Sequence, residues 1–212
     1  MNRTKIKICG VKDIKIIDCC IKNKIEYFGM IFYEKSPRNI NIEQAIRLTN
    51  YIKSKKIISV GVFVNKPINL LINLIDKINL NHIQLHGSED DNYIYSLKKR
   101  FEIKIIKSIG IRNEEDLKKI NNFTNADYLL FDYKSQNNEL PGGNAKKFDW
   151  SLIQNIKIDK PWFISGGINI NNIGEINKNL IPYGIDISSG VEDHPGIKNC
   201  KKITEIMKII NA

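Results

Sequence analysis

Five segments of this sequence place a reactive or anion-binding group directly behind an apolar run or a stiff turn: Cys9, Arg38, Asp132, Ser165-Gly-Gly167 and Ser188-Ser-Gly190. A thiol acts as a base only when ionised, and a free one is only a few per cent ionised at neutral pH. A basic Cys9 therefore requires a neighbouring cation or dipole. Asp132 closes the run Leu129-Leu-Phe131. Desolvation at the edge of an apolar core favours the protonated carboxyl, which suits a general acid. Arg38 stands behind Ser36-Pro37, where its guanidinium can hold a planar carboxylate bidentately. The glycine turns let backbone N–H groups approach a phosphate, and a helix N-terminus behind them adds favourable partial charge. Each feature also has a plainer meaning: a small buried hydrophobe for Cys9, a cap for Asp132, an exposed charge for Arg38, and positive-φ turn residues for Gly166, Gly167 and Gly190. Their common placement is what argues for a site.

That placement is set by the elements around them. Lys5-Ile-Lys-Ile-Cys9 alternates polar and apolar residues and stops at Gly10, the pattern of a strand entering a turn. A helix follows from about Lys12 to Asn23, with Ile14, Ile17 and Ile21 at helical spacing. Further strands are predicted at Tyr27–Phe32, Ile57–Val64, His82–His86, Glu102–Ile109, Asp127–Asp132, Pro161–Ser165 and Gly184–Ile187. Helices alternate with them. Asn41 caps one that runs through Lys53, and Pro67 opens one that reaches about Lys77. Ser88 with Glu89, Asp90 and Asp91 opens a fourth, its acids favourably placed against the helix dipole. Asn113–Asn121 and Trp150–Ile156 are short helices. Asn169 or Asn171 starts the seventh, and Lys198–Ile210 is the last.

Eight strand-then-helix units over 212 residues give about 26 residues per unit. Buried strands alternating with amphipathic helices imply parallel βαβ units. Eight of them closing on themselves make a (β/α)8 TIM barrel, here one domain over residues 1–212. On such a barrel the strand C-terminal ends form one mouth, and phosphate sites are frequently built from the last two loops. The runner-up is an open doubly wound sheet, but Cys9-Gly-Val-Lys12 is no GxGxxG turn and the glycine pairs come late.

Net charge is +10, yet the lysines are dispersed, arginine is scarce and no basic run is interleaved with aromatics. This predicts a solvated basic surface that attracts an anionic small molecule, with no nucleic-acid partner. No run of about 18 apolar residues is present, which predicts no membrane span, and the N-terminus lacks the apolar stretch of a signal peptide. Cys9, Cys19, Cys20 and Cys200 form no CxxC pair, and the simplest reading is a reducing, cytoplasmic compartment. His82, His86 and His194 make no ligand set with them, and on a strand the four-residue spacing of the first two does not converge. We expect no metal.

Several motifs, in order over nearly the whole chain, resemble the phosphoribosylanthranilate isomerase family. They are Lys7-Ile-Cys-Gly-Val11, Lys35-Ser-Pro-Arg38, Gly61-Val-Phe-Val64, Gln84-Leu-His-Gly87, Phe148-Asp-Trp150, Ser165-Gly-Gly-Ile168 and Asp186-Ile-Ser-Ser-Gly-Val-Glu192. The resemblance implies a (β/α)8 barrel of tryptophan biosynthesis. It implies isomerisation of N-(5-phosphoribosyl)anthranilate to 1-(2-carboxyphenylamino)-1-deoxyribulose 5-phosphate, without cofactor or metal, by a monomer or homodimer. Residue by residue it implies Cys9 as general base, Asp132 as general acid and Arg38 as holder of the anthranilate carboxylate. Gln84, His86 and Asp186 would contact substrate, and Gly166, Gly167, Ser189 and Gly190 would bind phosphate. The sequence departs from the family in Gly142-Gly-Asn-Ala145, where Gly-Gly-Thr-Gly is usual, and in Tyr133, where a small residue follows the acid. Competing readings are another phosphosugar isomerase of this size, such as the aminoaldose isomerase of histidine synthesis, and a phosphate-binding barrel without activity.

Overall fold

A computed structural model describes residues 3–135, 142–143, 146–154 and 156–211, with residues 177–179 described by backbone alone. Eight parallel strands close into a barrel in sequence order: β1 Lys5–Cys9, β2 Tyr27–Ile31, β3 Ile58–Phe63, β4 His82–Leu85, β5 Lys104–Ile111, β6 Tyr128–Tyr133, β7 Trp162–Ile164 and β8 Gly184–Ile187. The ring is sealed where β1 pairs β8, Lys5 opposite Gly184 through Ile8 opposite Ile187. The barrel predicted from the sequence is the observed one.

Side-chain alternation sorts every strand. Ile6 and Ile8 of β1 join the large core between sheet and helices, while Tyr27, Val60, Ile106, Leu130 and Phe163 form a separate cluster filling the barrel. Because successive side chains on a strand point to opposite faces, Lys5, Lys7 and Cys9 share the inward face with that second cluster. Toward the strand C-termini the inward positions turn polar and remain buried: Lys7, Gln84, Ser108, Asp132, Ser165 and Asp186. A polar layer under a mouth, above an apolar plug, is the platform on which barrels of this kind build sites.

The helices that clamp the strands are α1 Ile14–Lys22, α2 Ile42–Tyr51, α3 Ile68–Ile78, α4 Asp91–Lys98, α5 Glu114–Leu117, α6 Ser151–Gln154, α7 Ile173–Asn179 and α8 Cys200–Ile210. Asn41 caps α2 as predicted and closes a reciprocal capping box with Gln44. The fourth helix differs from expectation. Asp90, not Ser88, is its cap. Glu89 is drawn inward to accept from the backbone of Asn65 and Gly87 and to pair with buried Lys107 at 3.0 Å. Helix five ends after four residues and continues as a 3-10 turn over Lys118–Asn122. The seventh starts later than predicted because Asn169 and Asn172 turn their side chains onto the loop's own backbone, competing with the helix for it. A small hairpin, β9 Glu192–His194 with β10 Ile197–Lys198, precedes α8 and was not anticipated.

One cysteine pairing was not anticipated. Cys19 of α1 and Cys200 of α8 are joined by a disulfide, and Cys9 and Cys20 are free. The two partners lie 181 residues apart in sequence, and only the closure of the barrel brings the first and last helices side by side. Among the described residues no helix is long and apolar enough to cross a membrane, and no acidic or His/Cys cluster is arranged to hold a metal.

Candidate active site

One cavity opens at the C-terminal ends of the strands, and Cys9, Arg38, Gln84, His86, Asp132, Gly166, Gly167, Asp186 and Ser189 all line it. Nine of the ten residues singled out from the sequence therefore meet. Gly190 does not line it. A Cβ there would stand 2.0 Å from the Ile168 carbonyl oxygen, so its part is to let the loops after β7 and β8 pack backbone to backbone.

Cys9 ends β1 and is buried against Gly29 of β2, where a Cβ would lie 2.9 Å from its sulfur. The same Cβ would lie 3.2 Å from Lys7 Nζ, so thiol and ammonium face one small gap. Lys7 is completely buried, and its ammonium donates to both carboxylate oxygens of Asp186, at 3.0 and 2.9 Å. Burial lowers the Lys7 pKa, but the charges of Asp186 and Cys9 and the hydrogen bonds to both together outweigh it, so the net shift is upward and the ammonium stays protonated. Burial pushes the Cys9 thiol up; Lys7 pulls it down, Asp186 pushes it up again and Lys198 pulls more weakly, so the thiol stays above its ordinary value and Lys7 is the strongest opposing group. Asp186 thus lines the cavity while each of its oxygens accepts one hydrogen bond from Lys7.

Asp132, near the end of β6, accepts from the Tyr133 N–H through Oδ1 at 2.8 Å and presents Oδ2 to His86 Nε2 at 3.3 Å. Gln84 Nε2 donates to His86 Nδ1 at 2.7 Å. The Gln84 carbonyl oxygen is buried without a partner among the described residues, and Gln84 lines the cavity. Gly142 closes over this pair, since a Cβ there would fall 2.7 Å from His86 Nε2 and 3.2 Å from Asp132 Oδ2. The departure at Asn144 and Ala145 lies outside the described residues. Tyr133, the other departure, lines the cavity.

Arg38 is not a surface charge. It is buried, with Nε and Nη2 donating to the two oxygens of Glu192 at 2.9 and 2.7 Å. Lys198 donates to the same carboxylate at 2.7 Å. Burial pushes the Glu192 carboxyl up, but the Arg38 hydrogen bonds and the Lys198 charge outweigh it and hold the group below its ordinary value. One edge of the guanidinium is therefore taken. The Nη1 edge lies under Gly143, where a Cβ would be 2.5 Å away. Across the mouth, Gly166 and Gly167 have φ of +92° and +62°, values glycine adopts without penalty. The N–H groups of Gly167 and Ile168 find no acceptor among the described residues. Ser189 opens a 3-10 turn beside them, and the first N–H groups of such a turn are unpaired.

Lys7 and Glu192 were not assigned roles from the sequence. The signal for Lys7 was present. In Lys5-Ile-Lys-Ile-Cys9 a lysine two residues before an inward cysteine must also point inward, and a barrel interior rarely holds an unpaired charge. Glu192 and Lys198 gave no comparable signal, because the hairpin that carries them has no periodicity to read.

A family model described as PRAI, N-(5'phosphoribosyl)anthranilate (PRA) isomerase, matches residues 6–209. The chain belongs to this family. It is 38% identical to the N-(5'-phosphoribosyl)anthranilate isomerase of Endomicrobium trichonymphae, over 98% of each chain. To that of Rhizobium johnstonii it is 35% identical, over 98% of this chain and 94% of the relative. The phosphoribosyl anthranilate isomerase of Thermotoga maritima superposes with a TM-score of 0.88 at 31% identity, covering 98% of each chain. A further phosphoribosyl anthranilate isomerase was solved in complex with reduced 1-(o-carboxyphenylamino)-1-deoxyribulose 5-phosphate. It matches with a TM-score of 0.84 at 29% identity, again over 98% of each chain. The barrel is thus that of PRA isomerases.

Proposed function

We infer that the barrel, acting as one catalytic domain, converts N-(5'-phosphoribosyl)anthranilate to 1-(2-carboxyphenylamino)-1-deoxyribulose 5-phosphate in tryptophan biosynthesis. Cys9 is its base and Asp132 its acid. The observation that carries these roles is that a thiol from β1 and a carboxyl from β6 line one cavity, between a buried arginine on one side and a positive-φ glycine turn on the other. A substrate with a carboxylate at one end and a phosphate at the other fits that polarity. The chain's net charge of +10 favours capture of such an anion.

The Amadori rearrangement needs one acid and one base on opposite faces of the sugar. Asp132 gives its proton to the ring oxygen, the C1′–O bond breaks, and the anilino nitrogen lone pair forms the iminium. Cys9, as thiolate, removes the C2′ proton, and the C–H electron pair becomes the C1′=C2′ bond of an enolamine, neutralising the nitrogen. Loss of the C2′ hydroxyl proton and gain of one at C1′ yields the ketone. The second edge of Arg38 holds the anthranilate carboxylate, and the N–H groups of Gly167, Ile168 and Ser189 hold the phosphate. Gln84 offers its unpartnered oxygen to a sugar hydroxyl. A cytoplasmic location accompanies this role.

The test is the loss of anthranilate fluorescence when freshly generated phosphoribosylanthranilate meets the purified protein. Rapid loss in the wild type is expected to fall by at least about a thousandfold in Cys9→Ala and in Asp132→Asn, each with an unchanged circular dichroism spectrum. Near-wild-type turnover in either variant would sink the role assigned to that residue.

A further inference from the structure

Resting on the reading of Cys9 as base, we propose that Lys7 is the positioning residue that allows Cys9 to ionise: its buried ammonium, clamped by Asp186 below the cavity floor, donates to the thiolate as it forms. Three observations converge on this. Lys7 and Cys9 share the inward face of β1, two residues apart. Gly29 leaves the space between them open, since any side chain there would strike both Nζ and Sγ. And Asp186 holds the ammonium from β8 with two hydrogen bonds, so that it cannot swing away from the sulfur.

The charges around the thiol support the assignment. Lys7 faces it from β1, Asp186 from β8 and Lys198 from β10. Lys198 leads on to Glu192, and Glu192 to Arg38. His86, just past β4, and Asp132, in β6, face Asp186. Lys7 is matched by Asp186, while Lys198 and Arg38 share the single carboxylate of Glu192. In an environment of low dielectric, opposite charges at contact distance favour each other's charged forms. Ionisation of Cys9 therefore completes a set that the fold has already assembled. Without Lys7, the desolvation that raises the thiol acts unopposed from below.

The experiment compares wild type with Lys7→Met. Cys9 alkylation by iodoacetamide is followed against pH by the mass of the peptide that contains it, which separates it from buried Cys20. The midpoint is expected to rise by about one pH unit or more, a tenfold loss of thiolate at neutral pH. The rising limb of kcat against pH moves with it, while KM changes by less than about threefold because Lys7 touches no substrate. Should Lys7→Met fail to fold for want of a partner for Asp186, Lys7→Met/Asp186→Asn removes both charges. Its midpoint is expected to move in the same direction, since the pull of Lys7 on the thiol exceeds the push of Asp186. An alkylation midpoint equal to that of wild type in whichever variant folds overturns the proposal. Alkylation reports the Lys7–Cys9 coupling whether or not Cys9 is the base. A shifted midpoint with full activity in Cys9→Ala would therefore leave the coupling standing and remove only the base assignment.

Discussion

Arg38 commits one edge of its guanidinium to Glu192, its Nη2 also reaches the Gly143 carbonyl at 3.4 Å, and Nη1 is the nitrogen proposed to meet the ligand. A buried arginine needs such a partner, because an ionised group taken out of water without one is strongly unfavourable. The carboxylate also fixes the plane of the fork. This makes Arg38→Lys a sharper test than alanine. Lysine keeps the charge beside Glu192 but has no planar second edge, so KM for phosphoribosylanthranilate should rise by roughly ten- to a hundredfold, corresponding to about 1.5–3 kcal/mol for lost charged hydrogen bonds. kcat should stay within a fewfold of wild type. An aniline analogue of the substrate, lacking the carboxylate, should be turned over equally by both proteins. A KM unchanged for the natural substrate would remove Arg38 from carboxylate binding. Residue types carried much of this site in the sequence. Cys9, Arg38 and Asp132 were visible because thiol, guanidinium and carboxyl each stood at the end of a run. Their partners were less visible. Glu192 lies 154 residues from Arg38, and only three-dimensional closure brings them together.

Among the elements, strand periodicity was the most legible feature. Every barrel strand overlaps its predicted run, with β5 lying two residues later than expected, because each is held by two neighbours and packed on both faces. The β9–β10 hairpin was the least legible, since it has no periodicity to read; α5 and α6 were expected as short helices and have four residues each. The glycines of the last two loops illustrate how an element serves the site. Gly190→Ala would drive a methyl group into the Ile168 carbonyl oxygen, 2.0 Å away, and backbone cannot yield cheaply. The loops after β7 and β8 must separate, and the N–H groups proposed to hold the phosphate separate with them. The expected result is a KM raised by roughly tenfold or more with weakened competitive inhibition by inorganic phosphate, and a smaller effect on kcat. Gly174→Ala in α7 is the control, for a Cβ there meets nothing within 4 Å. It should leave kinetics alone and add about 0.5–1 kcal/mol of stability through the unfolded chain's lost entropy. A Gly190→Ala enzyme with wild-type KM and phosphate inhibition would mean that the two loops do not share a ligand.

At the scale of the molecule, a barrel has no edge strand, so its integrity depends on the seam where the first and last units meet. β1 and β8 pair there through four residues of each strand, and α1 and α8 lie together outside them. The Lys7–Asp186 pair crosses the seam inside the barrel, and outside it the Cys19–Cys200 disulfide and the hydrogen bond from Asn23 Nδ2 to Thr204 Oγ1, at 3.2 Å, cross it too. Composition and spacing pointed to a reducing compartment, because cysteines in α1 and α8 stand almost a full chain length apart and nothing local signals their approach. A cross-link that closes so long a loop restricts the unfolded chain severely, by about 5 kcal/mol in the chain-entropy picture. Reduction with a phosphine, or Cys200→Ser, is therefore expected to lower Tm by roughly 10 °C. Turnover at 25 °C should be nearly unchanged, since neither sulfur lines the cavity. Unfolding should begin at the seam, so that amide protection in β1 and β8 falls more than in β3 to β5. An intact mass with four free thiols in protein purified without reductant, together with a Tm indifferent to reduction, would show that the seam is held by the β1–β8 ladder and helix packing alone.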